Sequence, residues 1–99
     1  MAGFIQLVEI DTDNIEACIE LLERFRDEHP GVMTASVSTL TEDRDRRGTY
    51  VSIVEFPSYE KAMEQSNSAE ITEMTQQLGK LLKGPARFRN LDVHAVMRV

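Results

Sequence analysis

Few residues in this 99-residue chain could carry proton, electron or metal chemistry. Its two histidines, His29 and His94, lie far apart in sequence, and no Cys/His pair has the spacing of a ligand set, so no metal site is expected. Cys18 has no second thiol to pair with and reads as a small hydrophobe of a reducing compartment. His94 is the main candidate for catalysis. Imidazole titrates near neutral pH and could take the proton of a weakly acidic hydroxyl such as a phenol. It alternates with Asn90, Asp92 and Arg98 on one parity of an apolar-rich final segment. The plainer reading of His94 is a strand histidine at an interface or in solvent. Tyr50 and Ser52 share a parity in TYVSIVEF, and Gln6 lies in FIQLVEI. If those two segments are neighbouring central strands, the three side chains could project toward one cavity. The plainer readings are core packing for Tyr50 and polar filling for Ser52 and Gln6. The RDRR stretch at 44–47 could hold an anion, but the interleaved Glu42, Asp43 and Asp45 favour a solvated hairpin tip.

The elements that position these residues follow from periodicity. FIQLVEI, 4–10, is apolar at both parities, as a strand buried on both faces would be. Asp13 then offers a cap, with Glu16 three residues on, and Ile15, Cys18, Ile19, Leu22 and Phe25 recur at helical spacing. Pro30-Gly31 ends that helix. Two β-rich runs at 32–40 and 49–56 enclose the charged TEDRDRRG and read as an antiparallel hairpin. Tyr50, Ser52, Val54 and Phe56 take one face of its second arm; Val51, Ile53 and Glu55 take the other. Ser58 is placed to cap a second helix, Ser66-Asn67-Ser68 interrupts it, and an apolar stripe resumes through Ile71, Met74, Leu78, Leu81 and Leu82 to a stop at Gly84-Pro85. The last strand is expected over 88–99. Met33, Met63, Met74 and Met97 all fall on apolar parities and read as core filler.

This order is the α+β, ferredoxin-like βαββαβ arrangement. Its right-handed crossovers put two helices on one face of a four-stranded antiparallel sheet. The other face would carry Val51, Ile53, Val96 and the second parity of the first strand, Ile5 and Leu7. An exposed apolar sheet of that size marks an interface, and the economical partner is a second copy across a two-fold axis.

The segments VSIVEFPSYEKAMEQSNSAEI and LGKLLKGPARFRNLDV carry a resemblance to the antibiotic biosynthesis monooxygenase-like domains of the dimeric α/β-barrel superfamily. The matching positions are Glu55, Phe56, Ser58, Ala62, Met63 and Ser68, together with the Pro30-Gly31 turn after the first helix. The family's usual tryptophan is Phe56 here, and the chain has no Trp. Gln65 and Thr75 stand where the haem-degrading branch carries a tryptophan and a haem-ligating histidine, so no cofactor is expected. The resemblance implies a homodimer of α/β-barrel type joined through the sheet face. It also implies a cofactor-independent monooxygenase acting on an aromatic or quinone-like small molecule that itself supplies electrons to oxygen. The catalytic candidates are then His94 and Tyr50, and the substrate-binding candidates Gln6, Ser52, Phe56 and Asn90. The alternative is a non-catalytic dimer that binds a small ligand or regulates a partner. RNA-binding modules share the βαββαβ order, but TYVSIVEF lacks their basic residue, glycine and stacked aromatics.

A net charge of −6 opposes binding to nucleic acid or to an anionic membrane surface. No apolar run is long enough to span a bilayer, the first residues lack a basic stretch, and the expected location is the cytoplasm.

Overall fold

Strand β1, Phe4–Asp11, is the axis of the structure. In the computed structural model, which describes residues 3–99, it pairs antiparallel with β3, Thr49–Phe56, on one side and with β4, Arg87–Asp92, on the other. Strand β2, Val37–Glu42, pairs antiparallel with the outer edge of β3, giving the order β2-β3-β1-β4. Helix α1, Ile15–Glu28, connects β1 to β2, while α2, Tyr59–Ser66, and α3, Ala69–Gly79, connect β3 to β4. The βαββαβ order, with its second helix in two pieces, is the architecture expected from the sequence.

The period-2 alternation divides the sheet into two faces. Phe4 is opposite Phe56, and both are buried against Ala62 of α2, so their parity faces the helices. On that side stand Phe4, Gln6, Val8 and Ile10 of β1 and Tyr50, Ser52, Val54 and Phe56 of β3. The other side, free of helices, carries Ile5, Leu7, Val51, Ile53 and Leu91. Phe4 is the hub of the core under α2: its ring lies 6.2 Å from that of Phe56 and meets Tyr59 edge-on at 5.4 Å.

The second helix breaks where its caps require. Ser58 Oγ accepts from Lys61 N at 3.2 Å, and Ser68 Oγ accepts from Ile71 N at 3.1 Å. Each hydroxyl satisfies an amide that the first helical turn leaves without an intrahelical partner. Helix α1 differs from the expectation at its start. Asn14, not Asp13, is its cap, accepting from Ala17 N at 3.2 Å, while Asp13 pairs with Lys83 across 3.4 Å. Leu21, absent from the expected stripe, is buried with Cys18 and Phe25.

Three further boundaries move. Strand β2 begins five residues later than expected, because the chain before it is held by α2: Gln65 Oε1 accepts from Thr34 N at 2.9 Å and from Ala35 N at 3.3 Å. Helix α3 stops at Gly79, and Leu81 and Leu82 lie in the turn that follows. That turn is fixed by Thr12, 2% exposed, whose hydroxyl donates to Leu81 O at 2.6 Å and accepts from Asn14 N at 3.1 Å. Strand β4 ends at Asp92, not at 99. Beyond it Val93 N donates to Gly3 O at 3.1 Å, and His94–Val99 has no strand structure. His94 and Val96 are therefore not sheet residues: β4 outruns its neighbour, since Asp92 is already opposite Phe4 near the start of β1.

Two outcomes follow. Thr12→Val keeps the shape of the side chain but leaves Leu81 O and Asn14 N without their partner; urea denaturation should show a loss of about 1–3 kcal/mol. Asp11 accepts from Thr49 Oγ1 at 2.6 Å and from Arg87 at 3.1 Å, and these bonds, Thr49's first, hold its carboxyl below the usual range. A carboxylate whose pKa falls on folding stabilises the fold above its unfolded pKa and ceases to do so as the pH drops through the folded value. The melting temperature of Asp11→Asn should therefore lie below that of the parent at neutral pH. The gap should close as the pH falls through and below the ordinary carboxylate range; a gap independent of pH would rule out the ionised carboxyl as its source.

Candidate functional site

The helix-side face of the sheet brings four of the six candidates onto one surface. Reading across the strands, one row is Ser38, Val54, Gln6 and Asn90, and the next is Leu40, Ser52, Val8 and Phe88. Residues directly opposite on paired strands share a face, so these eight side chains form a continuous floor. The Phe4–Phe56 pair closes one end of it; Ile10, Tyr50 and Glu42, opposite one another, close the other. Gln6, Val8, Ser52 and Val54 are only half-buried, so the helices do not seal the floor. Leu40 and Phe88, 38% and 54% exposed, are apolar margins on its two edge strands.

Polar groups are few and defined. Gln6 Nε2 donates to Asn90 Oδ1 at 3.1 Å, which leaves an amide oxygen on Gln6 and an amide N–H on Asn90 to offer a ligand. Ser52 supplies a hydroxyl between Val8 and Leu40. At the far end Tyr50 stands directly opposite Glu42 on the neighbouring strand. The Glu42 carboxylate is held in turn by Gly48 N at 3.2 Å and by Arg47 at 3.0 Å; these contacts, the Gly48 amide first, keep it below its usual range. Gly48 has φ +92°, a conformation that favours glycine, and it aims its amide at Glu42. Burial and then the negative charge of Glu42 push the Tyr50 phenol up. Tyr50 is thus protonated at neutral pH and serves as a hydrogen-bond donor rather than a base.

The other two candidates are not part of the floor's exposed surface. Phe56 is 2% exposed and packed in the core, so its ring offers no surface to a ligand. His94 is exposed, two residues past the end of β4 and off the floor. Gln65, in the place of the haem branch's tryptophan, is the clamp on Thr34 and Ala35. No group of three or more His, Cys, Asp or Glu able to hold a metal ion occurs among the described residues. A separate groove of about 110 Å³ lies between α1 and α3, where His29 stacks on Phe25 at 4.8 Å; none of the candidates lines it.

Sequence reasoning missed Val8, Leu40, Phe88 and Glu42. The first and third had a signal, since Val8 alternates with Gln6 and Phe88 with Asn90. Glu42 had none: it sits in a charged run, and only the hairpin register, Glu42 opposite Tyr50, brings it to the phenol.

No family model matches the chain, and no curated protein matches it. Solved structures do. One from Deinococcus radiodurans, named provisionally as an antibiotic biosynthesis monooxygenase, superposes with a TM-score of 0.77 at 9% identity, covering 97% of each chain. Another of that provisional name, from Bordetella bronchiseptica, gives 0.73 at 14% identity over 94% of this chain and 99% of its own. A Mycobacterium tuberculosis protein gives 0.76 at 18% identity over 98% of this chain and 100% of its own. At such identities the likeness is one of fold, and the chain has the ferredoxin-like fold of the antibiotic biosynthesis monooxygenase-like proteins.

Proposed function

We propose that this chain is a cofactor-independent monooxygenase for an aromatic or quinone-like small molecule, acting as a homodimer joined through the open face of the sheet. The observation that carries the reading is the floor on the helix side. Apolar side chains from all four strands surround the Gln6–Asn90 amide pair, Ser52 and the neutral Tyr50. A mostly apolar surface with a few placed polar groups suits a flat ring bearing oxygen substituents. The fold shared with proteins of provisional monooxygenase name supports the general class.

The chemistry needs an electron-rich substrate. A ring methylene beside a phenol, once the phenol is deprotonated, reduces dioxygen itself: one oxygen atom enters as the new carbonyl, and the other leaves as water with the two methylene hydrogens. The residues' part is to bind, orient and limit water around that reaction. The amide pair and Ser52 hold the ring oxygens and Tyr50 donates a hydrogen bond; His94, exposed past the end of β4, is not placed to take the phenol's proton, which passes to solvent. The dimer reading rests on Ile5, Leu7, Val51, Ile53 and Leu91, which no helix covers. A ligand-binding or regulatory dimer without turnover is the second reading, favoured by the position of His94 off the floor.

Oxygen uptake with a panel of phenols and anthrones should reveal a substrate, and labelled dioxygen should place one atom in the product. Gln6→Leu should then raise KM by up to about tenfold, the worth of one hydrogen bond. Silence across the panel with tight binding of one member would favour the second reading. Ile53→Asp puts a charge into the centre of the open face and should weaken the dimer at least about tenfold by light scattering; an unchanged dimer would mean that the copies meet elsewhere.

A further inference from the structure

Gln6 and Asn90 stand opposite each other on β1 and β4, and the bond between their side chains has a direction. Gln6 Nε2 donates and Asn90 Oδ1 accepts, at 3.1 Å. The two ends left unshared are therefore unlike: Gln6 Oε1 is an acceptor and Asn90 Nδ2 a donor. The neighbouring floor residues cannot take up either end, since Val54 lies across from Gln6 and Val8 and Phe88 form the next row. Gln6 is half-buried on the central strand and Asn90 exposed on an edge strand, so the pair is anchored on one side and open on the other.

Charge around the pair narrows what can bind there. Asp92 shares the face of Asn90, two residues along β4, so a carboxylate ligand would meet a like charge. The arginines of β4, Arg87 and Arg89, have the opposite parity and belong to the open face. At the other end of the floor Glu42 is matched by Arg47 at 3.0 Å. The amide pair thus has a carboxylate beside it and no cation on its own face of β4. It suits a neutral group that is donor and acceptor at once.

We propose that the Gln6–Asn90 pair selects a ring edge bearing both a neutral hydroxyl and a carbonyl, the hydroxyl donating to Gln6 Oε1 and the carbonyl accepting from Asn90 Nδ2. This rests on the reading of the floor as the substrate site and narrows the substrate to a hydroxy ketone among oxygenated rings. A plain quinone presents two acceptors, one of which would lie against the Gln6 oxygen and leave it unsatisfied. A diol satisfies Gln6 but offers Asn90 a phenolic oxygen, a weaker acceptor than a ketone. The pair also fixes which oxygen keeps its proton. Gln6 Oε1 repels an anion, so the hydroxyl at this end stays neutral, and the phenol that ionises faces Ser52 and Tyr50, whose hydroxyls can donate to it.

Titration with meta-hydroxyacetophenone, its methyl ether, acetophenone and resorcinol, followed through the side-chain amide resonances of Gln6 and Asn90, tests the proposal. Meta spacing keeps the two oxygens on one edge without letting them bond to each other. The hydroxy ketone should shift both amides and bind about tenfold more tightly than its methyl ether or acetophenone, the worth of one hydrogen bond. Asn90→Asp keeps an acceptor for Gln6 Nε2 and replaces the outward donor with a second acceptor, at an exposed position clear of the core. The order should then invert, with resorcinol binding more tightly than the hydroxy ketone. Equal affinities for the hydroxy ketone and its ether, shifts that miss the two amides, or an order unchanged by Asn90→Asp would overturn the proposal. The preference without oxygen uptake from any phenol would support it and overturn the monooxygenase reading; oxygen uptake without the preference would do the reverse.

Discussion

Hydrogen bonding of β1 along both of its edges is the constraint on which the rest of the structure depends. Because β3 and β4 pair with the same strand, residues far apart in sequence are set side by side: Gln6 next to Asn90, Asp11 next to Thr49, Phe4 next to Phe56. Because β1 is apolar at both parities, neither side of the sheet reads as a solvent face. Helices cover one side; the other holds Ile5 and Leu7 uncovered. A one-residue slip of β1 would exchange the two sets, moving Phe4 out of its aromatic core and Gln6 away from Asn90.

The covered side is not packed uniformly. Phe4 and Phe56 are sealed by Ala62, whereas Gln6, Val8, Ser52 and Val54 stay half-exposed two to four residues along the same strands. Breaking the second helix at Asn67 contributes to this. Helix α2 is committed to the Phe4–Phe56 end through Ala62, while α3 starts again from its own Ser68 cap and is tied through the turn after it to Thr12 at the other end of β1. The connection is thus anchored over both ends of the strand and leaves the middle uncovered, and the middle holds the polar floor. A fully packed floor would add stability and leave no room for a ligand, a trade-off common at functional sites.

Much of this was legible in the sequence, and the parts that were not share a cause. Local signals sufficed for the βαββαβ order, the break at Asn67 with its Ser58 and Ser68 caps, and the face shared by Tyr50, Ser52, Val54 and Phe56. Long-range hydrogen bonds decided the rest. Gln65 reaches across to the amides of Thr34 and Ala35 and delays β2; Thr12 captures Leu81 O after α3 has ended. The alternation in 93–99 is a real strand signal, but a strand needs a neighbour, and register with β1 runs out at the start of that strand. The site was legible in the same measure. Parity found Gln6, Ser52, Tyr50 and Asn90; the depth of Phe56 and the contact of Glu42 with Tyr50 depended on tertiary packing and hairpin register.

The misread tail and the two-sided β1 belong to one physical problem. Among the described residues, only Phe4, Ile10, Cys18, Leu21, Phe25, Phe56 and Ala62 are buried hydrophobics, a small core for a chain of this length. The apolar side chains left outside it gather on the open face and along 93–99. For a domain with so little interior, association of two copies would add the burial that one copy lacks, and stability would then rise with protein concentration. A surface under that pressure to be covered is poorly suited to hold a substrate. On the helix side polar side chains remain partly exposed between the buried ends of β1, and Gln6, Tyr50, Ser52 and Asn90 stand there.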